Sequence, residues 1–225
     1  IVGIAGVAGN GQSELLETVS GIRKAVSGTV MLDGRPVDVS GATDPGDLRD
    51  RGLAHVPEDR HHVGLVLQFE ENENSILGYH DEPQYLRGPF LDRDKIVTGA
   101  AAQMKQYDIR PANPHLKTAN FSGGNQQKIV LARELEQDPD VLIVGQPTRG
   151  VDVGAIEFIH RRLIEMRDKG KAVLLVSVEL DEIRSLSDRI LVMFGGRIVG
   201  ERDGEAGEGE LGLLMAGVEE RQAAE

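Results

Sequence analysis

The sequence predicts an α/β fold: a mostly parallel sheet core with a small antiparallel β element and an inserted helical subdomain. Three observations lead there. Short β-branched runs alternate with stretches of helical period, which is how βαβ units read. Residues 141–144, Val-Leu-Ile-Val, are apolar without alternation, as a strand covered on both faces requires. Strand signals then lapse between residues 70 and 138 and return beyond them.

The elements follow in order. Residues 1–5 form a strand, then a glycine-rich turn leads into a helix at 13–19, with Gly21 placed to stop it. Residues 29–32 and 36–39 flank Asp33-Gly34, a dipeptide suited to a two-residue hairpin, whose central positions take positive φ. A short strand covers 53–56. From Asp92 the spacing of Ile96, Ala100 and Met104 marks one face of a helix, and another helix starts after Ser122. Ile156, Ile159, Leu163 and Met166 line a helix ending at Gly170. Strands are expected at 172–176 and 190–194, the second turning at Gly195-Gly196 into 198–199. Between them Asp181 and Glu182 open a helix, where acidic side chains offset the dipole. The resulting division is residues 1–69 for the first part of the core, 70–137 for the helical subdomain, 138–202 for the second part, and 203–225 for an acidic tail. That tail is expected to be solvated, with the apolar residues 211–215 packing back on the body.

Composition narrows the function classes. The 225 residues suit one well-buried domain with an attached lobe. Against 25 Lys and Arg stand 37 Asp and Glu, a formal charge of −12, of which residues 201–225 contribute −6. A nucleic-acid partner wants a basic face, so that class is disfavoured. With no cysteine, disulfide frameworks and thiolate metal sites are excluded, and a reducing compartment is expected. No apolar run approaches the roughly 18 residues that span a bilayer, so no membrane-spanning segment is expected. The chain opens inside an apolar run with no initiator Met and no signal peptide, and reads as part of a longer polypeptide. His61-His62 is expected in a solvated loop rather than at zinc, and residues 70–73 in a solvated turn. Glycine is the one excess, 28 residues or about 12% against a usual ~7%.

Much of that excess lies in two clusters. Gly6, Val7, Ala8, Gly9, Asn10, Gly11, Gln12 and Ser13 follow a strand and open a helix, with the spacing G-x-x-x-x-G-K-[ST] and Gln12 in the lysine place. Such a loop aims backbone amides and a helix N-terminus at an anion. The alternative, a strand-to-helix turn that binds nothing, stays open. The second cluster is Ser122, Gly123, Gly124, Asn125 and Gln126: a good N-cap followed by glycines that leave amides uncovered. It is either a second anion cradle or a helix cap alone.

Taken with residues 141–152, these stretches resemble the ATP-binding-cassette (ABC) family, above all the C-terminal half of the tandem ATPase subunits of sugar and nucleoside importers of the ribose and xylose type. Ser-Gly-Gly-Asn-Gln-Gln-Lys at 122–128, Pro-Thr-Arg-Gly-Val-Asp-Val-Gly-Ala at 147–155 and Ser-Asp-Arg-Ile at 187–190 carry the resemblance, which covers nearly the whole chain. It implies a P-loop NTPase fold of ABC type, with ATP and Mg²⁺ as cofactors. It also implies that residues 122–126 press on a nucleotide held by the opposite domain, and that Asp152 reaches across a dimer interface.

Four catalytic positions depart from the family pattern. The loop lysine is Gln12. The strand ending at Val144 should deliver an Asp for Mg²⁺ and a Glu for the attacking water, and gives Gly145 and Gln146. The glutamine after residues 53–56 is Glu58, followed by Asp59, Arg60, His61 and His62, and the histidine after 172–176 is Val178. These exchanges cancel in charge while removing the clamp, metal ligand and base. Hydrolysis is therefore expected to be lost at this loop. Ser13 stays a candidate Mg²⁺ ligand, and Glu58 a partial replacement for the missing one. Two readings remain: a non-hydrolysing ATP site that holds a domain dimer closed, or an empty one.

The implied partners are an N-terminal nucleotide-binding domain of the same polypeptide and integral-membrane permease subunits, docking on the stretch from Glu58 to about Tyr107. The implied location is peripheral, on the cytoplasmic face of the inner membrane, and the solute is chosen by other subunits. Two further classes stay open: a regulatory or structural domain of the same fold without nucleotide, and a soluble ABC protein acting on ribosomes or nucleic acid.

Overall fold

A strand begins almost where the chain does. In a computed structural model of the protein, which describes residues 1–41 and 43–218, the strands are β1 (Val2–Ala5), β2 (Val30–Leu32), β3 (Arg35–Val37), β4 (Leu53–Val56), β5 (Leu86–Arg87), β6 (Phe90–Leu91), β7 (Val141–Gly145), β8 (Ala172–Ser177), β9 (Arg189–Phe194) and β10 (Arg197–Asp203). The helices are α1 (Gln12–Val19), α2 (Pro45–Asp50), α3 (Glu71–Asn74), α4 (Arg93–Gln106), α5 (Gly123–Leu135), α6 (Val153–Asp168), α7 (Leu180–Leu186) and α8 (Glu208–Met215). They pack as two units. The first comprises residues 1–58, 140–147 and 160 onward; the second comprises 59–139 and 148–159.

Among the described residues, six strands of the first unit form one sheet in the order β10-β9-β1-β8-β7-β4. β4, β7, β8, β1 and β9 run parallel, and β10 closes the edge antiparallel to β9. This is the mostly parallel α/β core that the alternation predicts. Leu142 and Val144 are fully buried, which explains their unbroken apolar run. Ile4, Leu16, Leu48, Ile143 and Val176 form a core with Leu32 and Val37 from the β2–β3 hairpin. That hairpin turns on Asp33 and Gly34, at φ 51° and 68°, and the β9–β10 hairpin turns on Gly195 and Gly196, at 55° and 75°. Both pairs satisfy the two positive φ values that a tight, right-twisted hairpin needs. After β10, Leu211 and Leu214 of α8 are buried, so the apolar stretch of the tail packs back as expected. Glu219, Glu220 and Glu225 of the expected tail lie outside the described residues.

The second unit is mainly helical. Ile96, Ala100 and Met104 are buried along α4, and Asp92 caps it by accepting from Lys95 N–H. α5 is buried along most of its length. Its Lys128 ammonium lies 4.8 Å from the ring centre of Phe158, which meets Tyr107 edge-on. Two details depart from the sequence reading. A small hairpin, β5–β6, interrupts the helices. Residues 70–73 are not a solvated turn: Glu71 is 1% exposed and opens α3, because Glu70 and Glu73 close a capping box there. Asn74, also buried, clamps the segment through Val66 N–H, Val66 C=O and Thr118 Oγ1. Among the described residues no helix is long and apolar enough to cross a membrane.

Candidate functional site

The carboxyl edge of the parallel strands gathers the first set of candidate residues. Gly6 follows β1, Glu58 follows β4, Gly145 ends β7, and Val178 follows β8. Open α/β sheets place ligands at this edge. The loop 6–13 joins β1 to α1, whose N-cap is Gly11 at φ 104° with no side-chain cap. Helix amides at such an end attract anions.

Gln12 shapes the loop interior. Its side chain is buried and folds back, Nε2 donating to Val7 C=O at 3.1 Å and Oε1 accepting from Asn10 N–H at 3.1 Å. A Cβ at Gly6 would lie 2.2 Å from that Nε2, so the carboxamide packs directly against this glycine. One loop amide is thus satisfied internally. Asn10 adds a clip that the sequence does not announce. Its Oδ1 accepts from Gly195 N–H at 2.8 Å and its carbonyl accepts from Gly196 N–H at 2.9 Å, tying the loop to a turn 185 residues away.

At the mouth, Ser13 Oγ donates to Glu58 Oε2 at 2.5 Å. Ser13 is exposed and Glu58 half-buried. Both are hard oxygen donors, a set that suits Mg²⁺ with phosphate oxygens and water completing the shell. No carboxylate stands at the end of β7. Gln146 is buried with φ 47°, its N–H donating to Val176 C=O at 2.8 Å and its Oε1 accepting from Val178 N–H at 3.3 Å. The carboxamide is held by backbone and carries no charge to polarise water.

The second set lies in the helical unit. Ser122 is exposed and caps α5, with Asn125 N–H directed at its Oγ and Asn125 Nδ2 donating to it at 2.9 Å. Asn125 Oδ1 in turn accepts from Arg110 N–H at 2.8 Å. A Cβ at Gly123 would lie 2.8 Å from both Arg60 Nη2 and Gly150 C=O, and one at Gly124 2.8 Å from Asp152 Oδ2. At Gly123, where one of these neighbours is backbone, only glycine permits this packing. Asp152 Oδ1 accepts from Ala155 N–H at 3.0 Å, capping α6 within the same unit. Gln126 is buried, donating to Thr118 C=O and lying 2.8 Å from His61 Nε2.

Arg60 is the residue that motif spacing misses. Its Nη1 donates to Arg149 C=O at 2.8 Å and its guanidinium covers Gly123. Burial, with a smaller contribution from the Arg149 charge, holds it below the usual arginine range, and the Asp59 charge opposes this. Asp59 is itself held low, chiefly by the N–H of His62 and also by that of His61.

The family model described as ABC transporter matches residues 1–149. The chain is 49% identical over 225 residues to a guanosine import ATP-binding protein, NupO, of Bacillus subtilis (strain 168), covering 99% of this chain and 43% of that protein. It is 47% identical over 218 residues to a nucleoside import ATP-binding protein, NupA, of Lactococcus lactis subsp. cremoris (strain MG1363), covering 96% and 42%. To a ribose import ATP-binding protein, RbsA 1, of Rubrobacter xylanophilus (strain DSM 9941 / JCM 11954 / NBRC 16129 / PRD-1), it is 39% identical over 222 residues, covering 97% and 44%. The chain therefore spans less than half the length of these relatives. Among solved structures, a post-hydrolysis dimer of the ATP-binding cassette MJ0796 bound to ADP and Pi matches with TM-score 0.74 at 23% identity, over 92% of this chain and 86% of that one. A nucleotide-free ATP-binding cassette matches with TM-score 0.74 at 21% identity, over 96% and 84%. These two likenesses establish the ABC ATPase fold.

Proposed function

The chain belongs to the ABC transporter family, and on that premise we propose that it is one ATP-binding domain of an importer for nucleosides or simple sugars. The solutes for which its relatives are named, guanosine, nucleosides and ribose, support that class. In this reading residues 1–69 and 138–202 make the nucleotide-binding core, and 70–137 the helical subdomain with the signature. The chain's own loop binds ATP without hydrolysing it. Its signature residues, Ser122 to Gln126, complete the competent ATP site of a second nucleotide-binding domain in the same polypeptide.

One observation carries this reading: the end of β7 presents Gly145 and Gln146, with Gln146 tied to the backbone at Val178. Phosphoryl transfer is mostly positioning plus electrostatic stabilisation. The loop amides and the α1 terminus attract phosphate, Ser13 Oγ and the Glu58 carboxylate supply oxygen ligands, and nothing at β7 takes a proton from water. Mg²⁺, when bound, supplies charge neutralisation at the phosphates. On the other side, Ser122 and the glycines behind it face a partner's nucleotide with an N-capped helix terminus, and Asp152 stands beside Gly124. Within the helical unit a groove of about 730 Å³, lined by residues including Phe69, Ile76, Leu91, Val97 and His115, is the seat for a permease segment. The domain then works peripherally on the cytoplasmic face of the membrane.

Equilibrium binding of ATP to the chain, followed by assay of the bound nucleotide, tests the reading. Retention of uncleaved ATP is expected. Steady release of ADP would overturn the non-hydrolysing site, and no binding at millimolar ATP would overturn the nucleotide site itself.

A further inference from the structure

We propose that Asn10 is a positioning residue for the glycine loop, and that through it the β9–β10 turn sets how tightly the loop holds phosphate. The proposal rests on the nucleotide-binding reading of that loop and deepens it by naming what governs its affinity.

An asparagine offers hydrogen-bond donors and acceptors on both backbone and side chain, and at position 10 all four groups are engaged. Two bonds stay inside the loop: Asn10 N–H donates to Gln12 Oε1 at 3.1 Å, and Nδ2 donates to Val7 C=O at 3.0 Å. Two leave it. Oδ1 accepts from Gly195 N–H at 2.8 Å, and the Asn10 carbonyl accepts from Gly196 N–H at 2.9 Å. The residue therefore joins loop and turn with side chain and backbone at once.

Its neighbours explain why the loop needs such a fixed point. Asn10 sits between Gly9 and Gly11, at φ 87° and 104°. Glycines move freely between conformations, so a loop of them loses binding free energy to ordering unless the protein orders it beforehand. The segment leading into the turn seats the same loop at two further points. A Cβ at Gly6 would lie 2.7 Å from Met193 C=O, and one at Gly11 3.0 Å from Met193 Cε and 3.2 Å from Gly196 Cα. The turn is held without help from the loop. β10 pairs with β9 beyond it, and the Phe194 ring lies against Gly217 after α8, where a Cβ would meet Cε1 at 2.4 Å. Asn10 thus ties a soft loop to a hairpin that is already fixed.

The test uses the full 225-residue chain with two probes, ATP and tripolyphosphate, which shares the phosphates and lacks the nucleoside. Asn10→Ala removes the bonds to Gly195 and Val7 and keeps those of the backbone. It is expected to weaken both probes by the same factor, at least about tenfold, because the loop must then be ordered on binding. The melting temperature should fall by no more than about 4 °C. Equal affinity in variant and wild type, or a loss for ATP that tripolyphosphate does not share, would overturn the positioning role and leave the nucleotide site standing. A measurement on the unaltered chain decides the matter if the variant does not fold. Coupling is reciprocal, so either probe should slow hydrogen exchange at the Gly195 and Gly196 amides by at least about fivefold. Binding with unchanged exchange at both amides would overturn the link. Failure of the wild-type chain to bind either probe would overturn the nucleotide reading and this role together.

Discussion

Two glycine turns open helices in this molecule, and they treat their amides in opposite ways. In the sheet unit, Gln12 folds into its own loop and accepts from Asn10 N–H, so the cradle is partly closed from within. In the helical unit, Ser122 caps α5 from outside and Gly123 lies flat against Arg60 and Gly150, leaving the face of the turn without a side chain. One residue accounts for the contrast. A lysine in the place of Gln12 would bring a charge and no acceptor, whereas the carboxamide brings an acceptor and no charge. Glycine-rich spacing thus fixes the shape of such a turn, and the side chain beside it decides which of its amides the loop satisfies itself.

The comparison can be sharpened by perturbing each side. The largest effect is expected in the helical unit, at Glu71. Burial raises its carboxyl from 4.5 to about 8, with both oxygens buried and, among the described residues, without a hydrogen-bond partner. The native state therefore binds the proton more tightly than the unfolded chain. The stability this contributes is full below pH 4.5 and is lost as pH rises through about 8. Glu71→Gln should flatten that slope and raise stability at the alkaline end by on the order of a few kcal/mol, measured by urea unfolding across this range. A parallel slope in wild type and variant would remove Glu71 from the account.

Next come the glycines. Gly123→Ala places a Cβ 2.8 Å from a carbonyl oxygen and should cost about 1–3 kcal/mol in denaturant unfolding. Gly9→Ala meets open space and bears only its φ of 87°, so a cost of about 1 kcal/mol is expected there. Equal costs would mean that the two turns are equally packed. Gln12→Ala should lose about 1 kcal/mol of stability through the two broken loop bonds, yet free Asn10 N–H and raise affinity for inorganic phosphate in a titration. Unchanged or weaker phosphate binding would contradict the closed-loop account.

Much of the fold was legible because it rests on local rules. The Asp33-Gly34 and Gly195-Gly196 turns, the unbroken run of β7 and the buried face of α4 are all written in spacing. α2 was not legible: Leu48 is its one buried residue, so no periodicity announces it, and Asp44 makes its capping box with an aspartate instead of the usual Glu or Gln. β5 and β6 are too short to leave a pattern. A buried Glu71 reads as solvated because nothing in composition signals desolvation. At the site, residue types and spacings located both glycine turns at the starts of their helices. Their use was not readable, since the Arg60–Arg149 and His61–Gln126 contacts join positions 89 and 65 residues apart.

The most direct test of the proposed asymmetry is steady-state ATPase activity of the proposed importer, assembled from this domain, a second nucleotide-binding domain and permease subunits, comparing Ser122→Ala with Gln12→Ala. The cap loss itself should cost only about 1 kcal/mol of stability, so both variants are compared as folded protein. Ser122→Ala is expected to remove most of the turnover, and Gln12→Ala to leave it within about twofold of wild type, a shift of under half a kcal/mol. Collapse of turnover in Gln12→Ala with Ser122→Ala intact would contradict the account.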